Sequence, residues 1–292
     1  GWRNFGQFKE QVIDRARTRV LSFINIVGSG MKGGPVEQNL ADMDPRLTAM
    51  RIRQHPGVIV GIKVAHYTGP EWDPVTRAVA AGRETDVPVM VDFGGHTPPL
   101  SLEDLLMKHL RPGDILTHTY AHVGGRIPIV DESGKVRPYV WEARKRGVIF
   151  DAGHGGGSFL FRQAVPALKQ GFPPDVISTD LHTGSQNSGM KDILNTMSKF
   201  LNMGMTLQDV VKANTATAAP ATGNCSYCGR SFAIGPIGRV AKYCRPACRT
   251  AACNEAKRGE RPSAEERQRR LIWNVLQDAG VIGDARVFSA MA

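Results

Sequence analysis

Cysteine is absent from the first 224 residues of this 292-residue chain, and all five cysteines lie in its last quarter. Over the first three quarters this leaves no disulfide and no thiolate metal ligand. No apolar run approaches the roughly 20 residues that a bilayer-spanning helix needs, and no basic-then-apolar leader follows Gly1. A cytoplasmic protein without a membrane partner is the expectation. Acidic charge is scarce at one end: after Pro220 there are six Asp or Glu against twelve Lys or Arg, which is most of the formal charge of +10. At 41% hydrophobic and 22% charged the composition is otherwise that of a globular protein. The segregation of cysteine and charge suggests two parts, residues 1–219 and residues 220–292.

Six apolar, β-branched runs recur in the first part: 19–27, 57–65, 87–94, 113–120, 147–155 and 175–182. Helical stretches separate them. Two of these open with Asp-Pro, at Asp44 and Asp73, the pattern of an N-cap followed by a proline in the first turn. Ser101 with Asp104 gives a near capping box, Gly171 is a helix stop, and Pro166 is placed to kink the helix before it. Ser133-Gly134 reads as a hairpin tip. Continuous apolar strands alternating with helices mean a parallel sheet covered by helices. The fold class expected is therefore α/β.

An open doubly wound sheet and a (β/α)8 barrel both satisfy that alternation. Polar residues cluster where the strands end: Lys63 and His66, Asp92 and His96, His118 and His122, Asp151 and His154, Asp180 and His182. Functional groups gather at that end of a barrel, so the reading is a partial TIM-type barrel of about six parallel strands. Imidazoles and carboxylates converging on a barrel mouth suit a borderline divalent metal such as zinc. Lys63 stands in the apolar run "GVIVGIKVA"; its stem lies along the strand with the ammonium reaching water, or the site requires it there.

From Trp2 to Ala219 the chain resembles the amidohydrolase superfamily, and more closely its dihydroorotase-like deacetylase branch. The resemblance is carried by "RVLSFINIVGSGM", "GIKVAHYTGPEW", "LRPGDILTHTY", "GRIPI…GKVRPYVWEARKRGVIFDAGHGGGSF" and "DVISTDLHTGSQNSGMKDILNTMSKFLNMGM". It implies a binuclear divalent metal centre, zinc foremost, that hydrolyses amide or ester bonds of a small molecule. Position by position it makes Lys63 a carboxylated bridging lysine, His118 and Asp180 metal ligands, and Asp180 also the general base for a hydroxide that attacks the carbonyl. Asp92 stands where relatives often carry a histidine ligand and is expected to replace it; His96 is the alternative. His154, Gly155, Gly156 and His182 are expected to meet substrate. The family's first-strand His-x-His pair is not present, so the chain reads as an amidohydrolase begun late, with an open edge, weak hydrolysis on its own, and a tendency to form homo-oligomers.

Cys225-x-x-Cys228 and Cys244-x-x-x-Cys248 have the spacing of a structural zinc site, with Cys253 spare. The stretch "CSYCGRSF…AKYCRPACRTAA" resembles small bacterial zinc fingers, and a helix capped at Ser263 is expected after it. Basic residues around such a module suit nucleic-acid phosphates or form a solvated face. The competing function is thus a zinc-finger adaptor or nucleic-acid-binding protein carrying an inactive barrel remnant.

Overall fold

The computed structural model describes residues 1–92 and 94–215. The expected zinc module, with Cys225, Cys228, Cys244, Cys248 and Cys253, and the helix after Ser263 lie outside the described residues. So does everything else assigned above to residues 220–292.

Five strands form one parallel sheet in chain order: β1 Ser22–Asn25, β2 Ile59–Val64, β3 Val89–Val91, β4 Ile115–Leu116 and β5 Ile149–Phe150. Each falls inside an apolar run picked from the sequence. The buried pattern of β2, apolar on both faces with Lys63 half-buried among five buried neighbours, is that of a strand covered on both sides. All five strands point the same way, so their following loops share one rim.

The sixth expected strand is not a strand. Residues 175–182 run beside β5 but make a single parallel bridge, Asp151 with Val176. The chain continuing from β5 donates to this segment, from Ala152, His154 and Gly155 to Val176, Ser178 and Thr179 carbonyls. The segment's own Ile177 N–H turns away to the Ala213 carbonyl. Two of its amides, Asp175 and Val176, do donate back to the Phe150 carbonyl, but the pairing does not extend beyond this one bridge, and Asp180 leaves the extended region altogether. Among the described residues nothing pairs β1 with this segment, so the sheet is open there.

The helix starts follow local chemistry. Asp44 caps Pro45–Gln54 by accepting the Arg46 and Leu47 N–H groups. The second Asp-Pro pair differs from expectation: Asp73 is the first residue of the helix Asp73–Thr85 rather than its cap, and its carboxylate is turned to Arg77 instead. Ser101 accepts the Asp104 N–H as expected. The helix Phe161–Lys169 carries Pro166 inside it and stops before Gly171, which has φ +80°. Val130 and Val136 bridge in antiparallel fashion across the Ser133-Gly134 tip.

The core lies between sheet and helices. Phe150 packs edge-on against Phe172, whose other neighbours include Trp141 and the Arg144 guanidinium 3.5 Å above its ring. Tyr120, Leu105 and Leu106 are fully buried beside them. At the opposite end from the strand rim, Asp114 ties three strands together. Its Oδ1 accepts the Val89 N–H where β3 starts, its carbonyl accepts the Ile149 N–H where β5 starts, and both its carboxylate oxygens accept from Arg111. No described helix is long and apolar enough to cross a membrane.

Candidate active site

Three residues at the strand rim have left-handed backbone: His66 at φ +55°, His118 at +53° and Asp180 at +47°. Each such residue costs on the order of 1–3 kcal/mol, and such strain concentrates where a side chain must be aimed. All three side chains line one cavity of about 430 Å³, together with Asp92, Arg126 and His182.

Asp92 Oδ2 is its centre. His118 Nε2 stands 3.3 Å away, His66 Nε2 3.6 Å and Lys63 Nζ 3.9 Å. Asp180 Oδ2 lies 3.8 Å from His118 Nε2 on the other side. All four separations exceed the 2.7–3.2 Å of an N–H···O hydrogen bond. Burial alone would raise the Asp92 carboxyl, but His118, Lys63 and Arg126 hold it well below the usual carboxylate range. For His118 burial works against the charged ring, and the Asp92 carboxylate and Gly153 carbonyl overcome it, lifting the imidazole above its ordinary value.

Second contacts fix these groups. His118 Nδ1 donates to the Gly153 carbonyl, which turns Nε2 into the cavity. Gly153 can do this because it has no side chain. A Cβ there would sit 2.3 Å from Thr117 Oγ1 and 2.9 Å from His118 Nδ1, at φ +44°. Gly153→Ala should therefore cost about 1–3 kcal/mol by overpacking, seen as a lower urea midpoint; an unchanged midpoint would mean that the loop shifts freely. Arg126, buried, donates to the Thr117 and His118 carbonyls through Nη2 at 3.2 and 2.8 Å. Burial draws its guanidinium down to about 10, against the pull of Asp92. Asp151 lies behind His118 with Oδ2 accepting from Thr117 and Ser178 hydroxyls, and burial pushes its carboxyl up.

The remaining expected residues are placed differently from one another. His182 and Gly156 line the cavity, and His182 Nδ1 accepts the Gly184 and Ser185 N–H groups. His154 is buried, stacked on Phe159, with Nδ1 donating to the Gly155 carbonyl and Nε2 accepting from Lys199 Nζ at 2.7 Å. The Gly155 N–H goes to the Thr179 carbonyl, and a Cβ on Gly155 would lie 2.9 Å from Asp180 Oδ2. His96 is buried edge-on to Tyr67, and His122 is exposed. Arg126 and Lys199 were not picked from the sequence; as single basic residues in "GGRIP" and "NTMSKFL" they carry no local signal. Among the described residues no group of three or more His, Cys, Asp or Glu side chains is drawn together closely enough to hold a metal ion.

No protein-family model matches the chain. Over 226 residues it is 32% identical to a deacetylase of Agrobacterium fabrum, covering 75% of this chain and 54% of that protein. A deacetylase of Brucella anthropi matches at 32%, with 75% and 55% covered, and one of Enterococcus faecalis at 29%, with 76% and 60% covered. The chain thus spans a little over half the length of these relatives. Among solved structures it is similar to an adenine deaminase, with TM-score 0.69 and 27% identity over 76% of this chain and 61% of that one. A dihydroorotase gives TM-score 0.65 and 31% identity over 76% and 59%. With a parallel sheet whose strand ends carry the site, and with these neighbours, the described part of the chain has an amidohydrolase-like fold.

Proposed function

We propose that this chain is a metal-dependent hydrolase of amide or ester bonds in small molecules, with deacetylation as its reaction. The observation that carries the reading is the convergence of Asp92, His118 and Asp180 on one cavity, with Lys63 Nζ 3.9 Å from Asp92 Oδ2, in a chain about 30% identical to deacetylases. The donors fit a divalent cation in kind, and their spacing supports it. Two ligands of one tetrahedral zinc, each about 2.0–2.1 Å from it, lie roughly 3.4 Å apart, which is near the 3.3 and 3.8 Å that separate His118 from Asp92 and Asp180. Asp92, His118 and Asp180 would hold the ion, and Lys63 would join them once carboxylated by carbon dioxide to an oxygen donor. Such an ion polarises a carbonyl oxygen and brings its water's pKa to about 7. Asp180, 44% exposed in the cavity, takes the attacking water's proton and returns it to the leaving group. Arg126 keeps the cavity wall positive, and the backbone at Gly156 leaves room for substrate.

The test is hydrolysis of chromogenic N-acetyl and O-acetyl substrates by the full chain, before and after chelation, beside Asp180→Asn. A rate above that variant's, lost on chelation and restored by zinc, is expected. Hydrolysis indifferent to both treatments would overturn the reading. Cysteine spacing alone supports one further part of it: Cys225, Cys228, Cys244 and Cys248 hold a structural zinc beside a basic surface suited to phosphates. Cys225→Ser should then lower zinc content by one equivalent per chain; unchanged zinc would remove that part.

A further inference from the structure

Residues 33–38 take no part in the reading above, yet they are built around His66. Glu37 is fully buried; one carboxylate oxygen accepts the Gly33 N–H at 2.7 Å and the other accepts from His66 Nδ1 at 2.7 Å. Gln38, next along the helical turn Gly34–Gln38, donates to the His66 carbonyl at 2.7 Å and accepts the Thr68 N–H at 2.9 Å. One turn of chain therefore grips His66 by its ring and its main chain, in a left-handed conformation that is uncommon outside glycine. A ring that is 54% exposed needs no such brace merely to sit in water.

The brace sets where the ring aims. A carboxylate only accepts, so Nδ1 carries a proton toward Glu37 and Nε2 is the ring nitrogen aimed into the cavity. Nε2 stands 3.6 Å from Asp92 Oδ2, longer than a hydrogen bond. His118 repeats the arrangement, with Nδ1 spent on the Gly153 carbonyl and Nε2 at 3.3 Å from the same oxygen. Imidazoles that ligate metals almost always give their other N–H to a carboxylate or carbonyl, which fixes tautomer and direction.

We propose that His66, held by Glu37, is a further nitrogen donor to the cation at Asp92 and His118, an inference that rests on the cation reading of the cavity. It would bind a borderline divalent ion through two imidazoles and carboxylate oxygen, a set that suits zinc, cobalt or manganese.

The probe is Mn²⁺ alone, an ion that thiolates hold poorly, added to the metal-stripped full chain and followed by loss of the free-ion EPR signal. His66→Ala should weaken binding at least about tenfold, and Glu37→Gln about 10- to 100-fold, as loss of an outer partner does. Pulsed EPR of the bound ion should show two imidazole nitrogens in the wild type and one in His66→Ala. A wild-type chain that takes up no Mn²⁺ overturns the cation reading and this inference together. A wild type that binds with one nitrogen, or a folded His66→Ala that binds equally well with the same spectrum, overturns only the role of His66. The wild-type nitrogen count decides the matter even if a variant fails to fold.

Discussion

Asp114→Ala should lower the stability of the chain by about 3–5 kcal/mol, the cost of removing one partner of a buried ion pair. Asp114 is fully buried, and its carboxylate accepts the Val89 N–H together with three donors of Arg111. Alanine leaves all four without that acceptor, and the Arg111 guanidinium, only 21% exposed, keeps its charge. The loss falls where β3, β4 and β5 begin together, so it loosens register as well as charge pairing. Urea unfolding followed by far-ultraviolet circular dichroism gives the size of the effect. Hydrogen exchange gives its place, since the Val89 amide should lose protection first. A loss under about 1 kcal/mol would mean that water replaces the carboxylate and that the strand starts are held by apolar packing alone.

Asp180→Asn should slow hydrolysis by about 10²- to 10⁴-fold, the usual contribution of a positioned general base. This is a transition-state loss of roughly 3–5 kcal/mol. Stability should move by less than about 0.5 kcal/mol. The side chain is 44% exposed, so little packing is lost. The Ser185 hydroxyl donates to the Asp180 carbonyl, not to its carboxylate, and that bond survives the change. Asparagine also accepts left-handed backbone more readily than most residues, so φ +47° is no obstacle. The informative result is the split between the two measurements. Equal kcat/KM in variant and wild type would remove Asp180 from the chemistry. A matching drop in stability would instead make it a structural residue at the end of an interrupted strand.

The strand runs were legible because burial on both faces of a parallel sheet writes an unbroken apolar signature, and five of the six became strands. The sixth had the same signature, but its pairing with β5 stops at one bridge and its backbone turns left-handed at Asp180, which the apolar pattern does not foretell. Lys63, Asp92, His118 and Asp180 could be grouped from sequence since parallel strands bring successive ends to one rim. His66 stood in the same group, but its aim is set by Glu37, 29 positions upstream. His154 was expected at substrate; its two ring nitrogens are engaged by Gly155 and by Lys199, 45 positions downstream.

By itself the sequence determined the alternation of strand and helix, the cap at Asp44, the parallel sheet, and the rim at which its polar residues gather. These are local or periodic properties, set by side-chain spacing along one element. Only the tertiary structure decided which polar atoms face each other across that rim. Glu37 and Gly153 reach His66 and His118 from 29 and 35 positions away, and contacts at that separation leave no mark in the local pattern around either histidine.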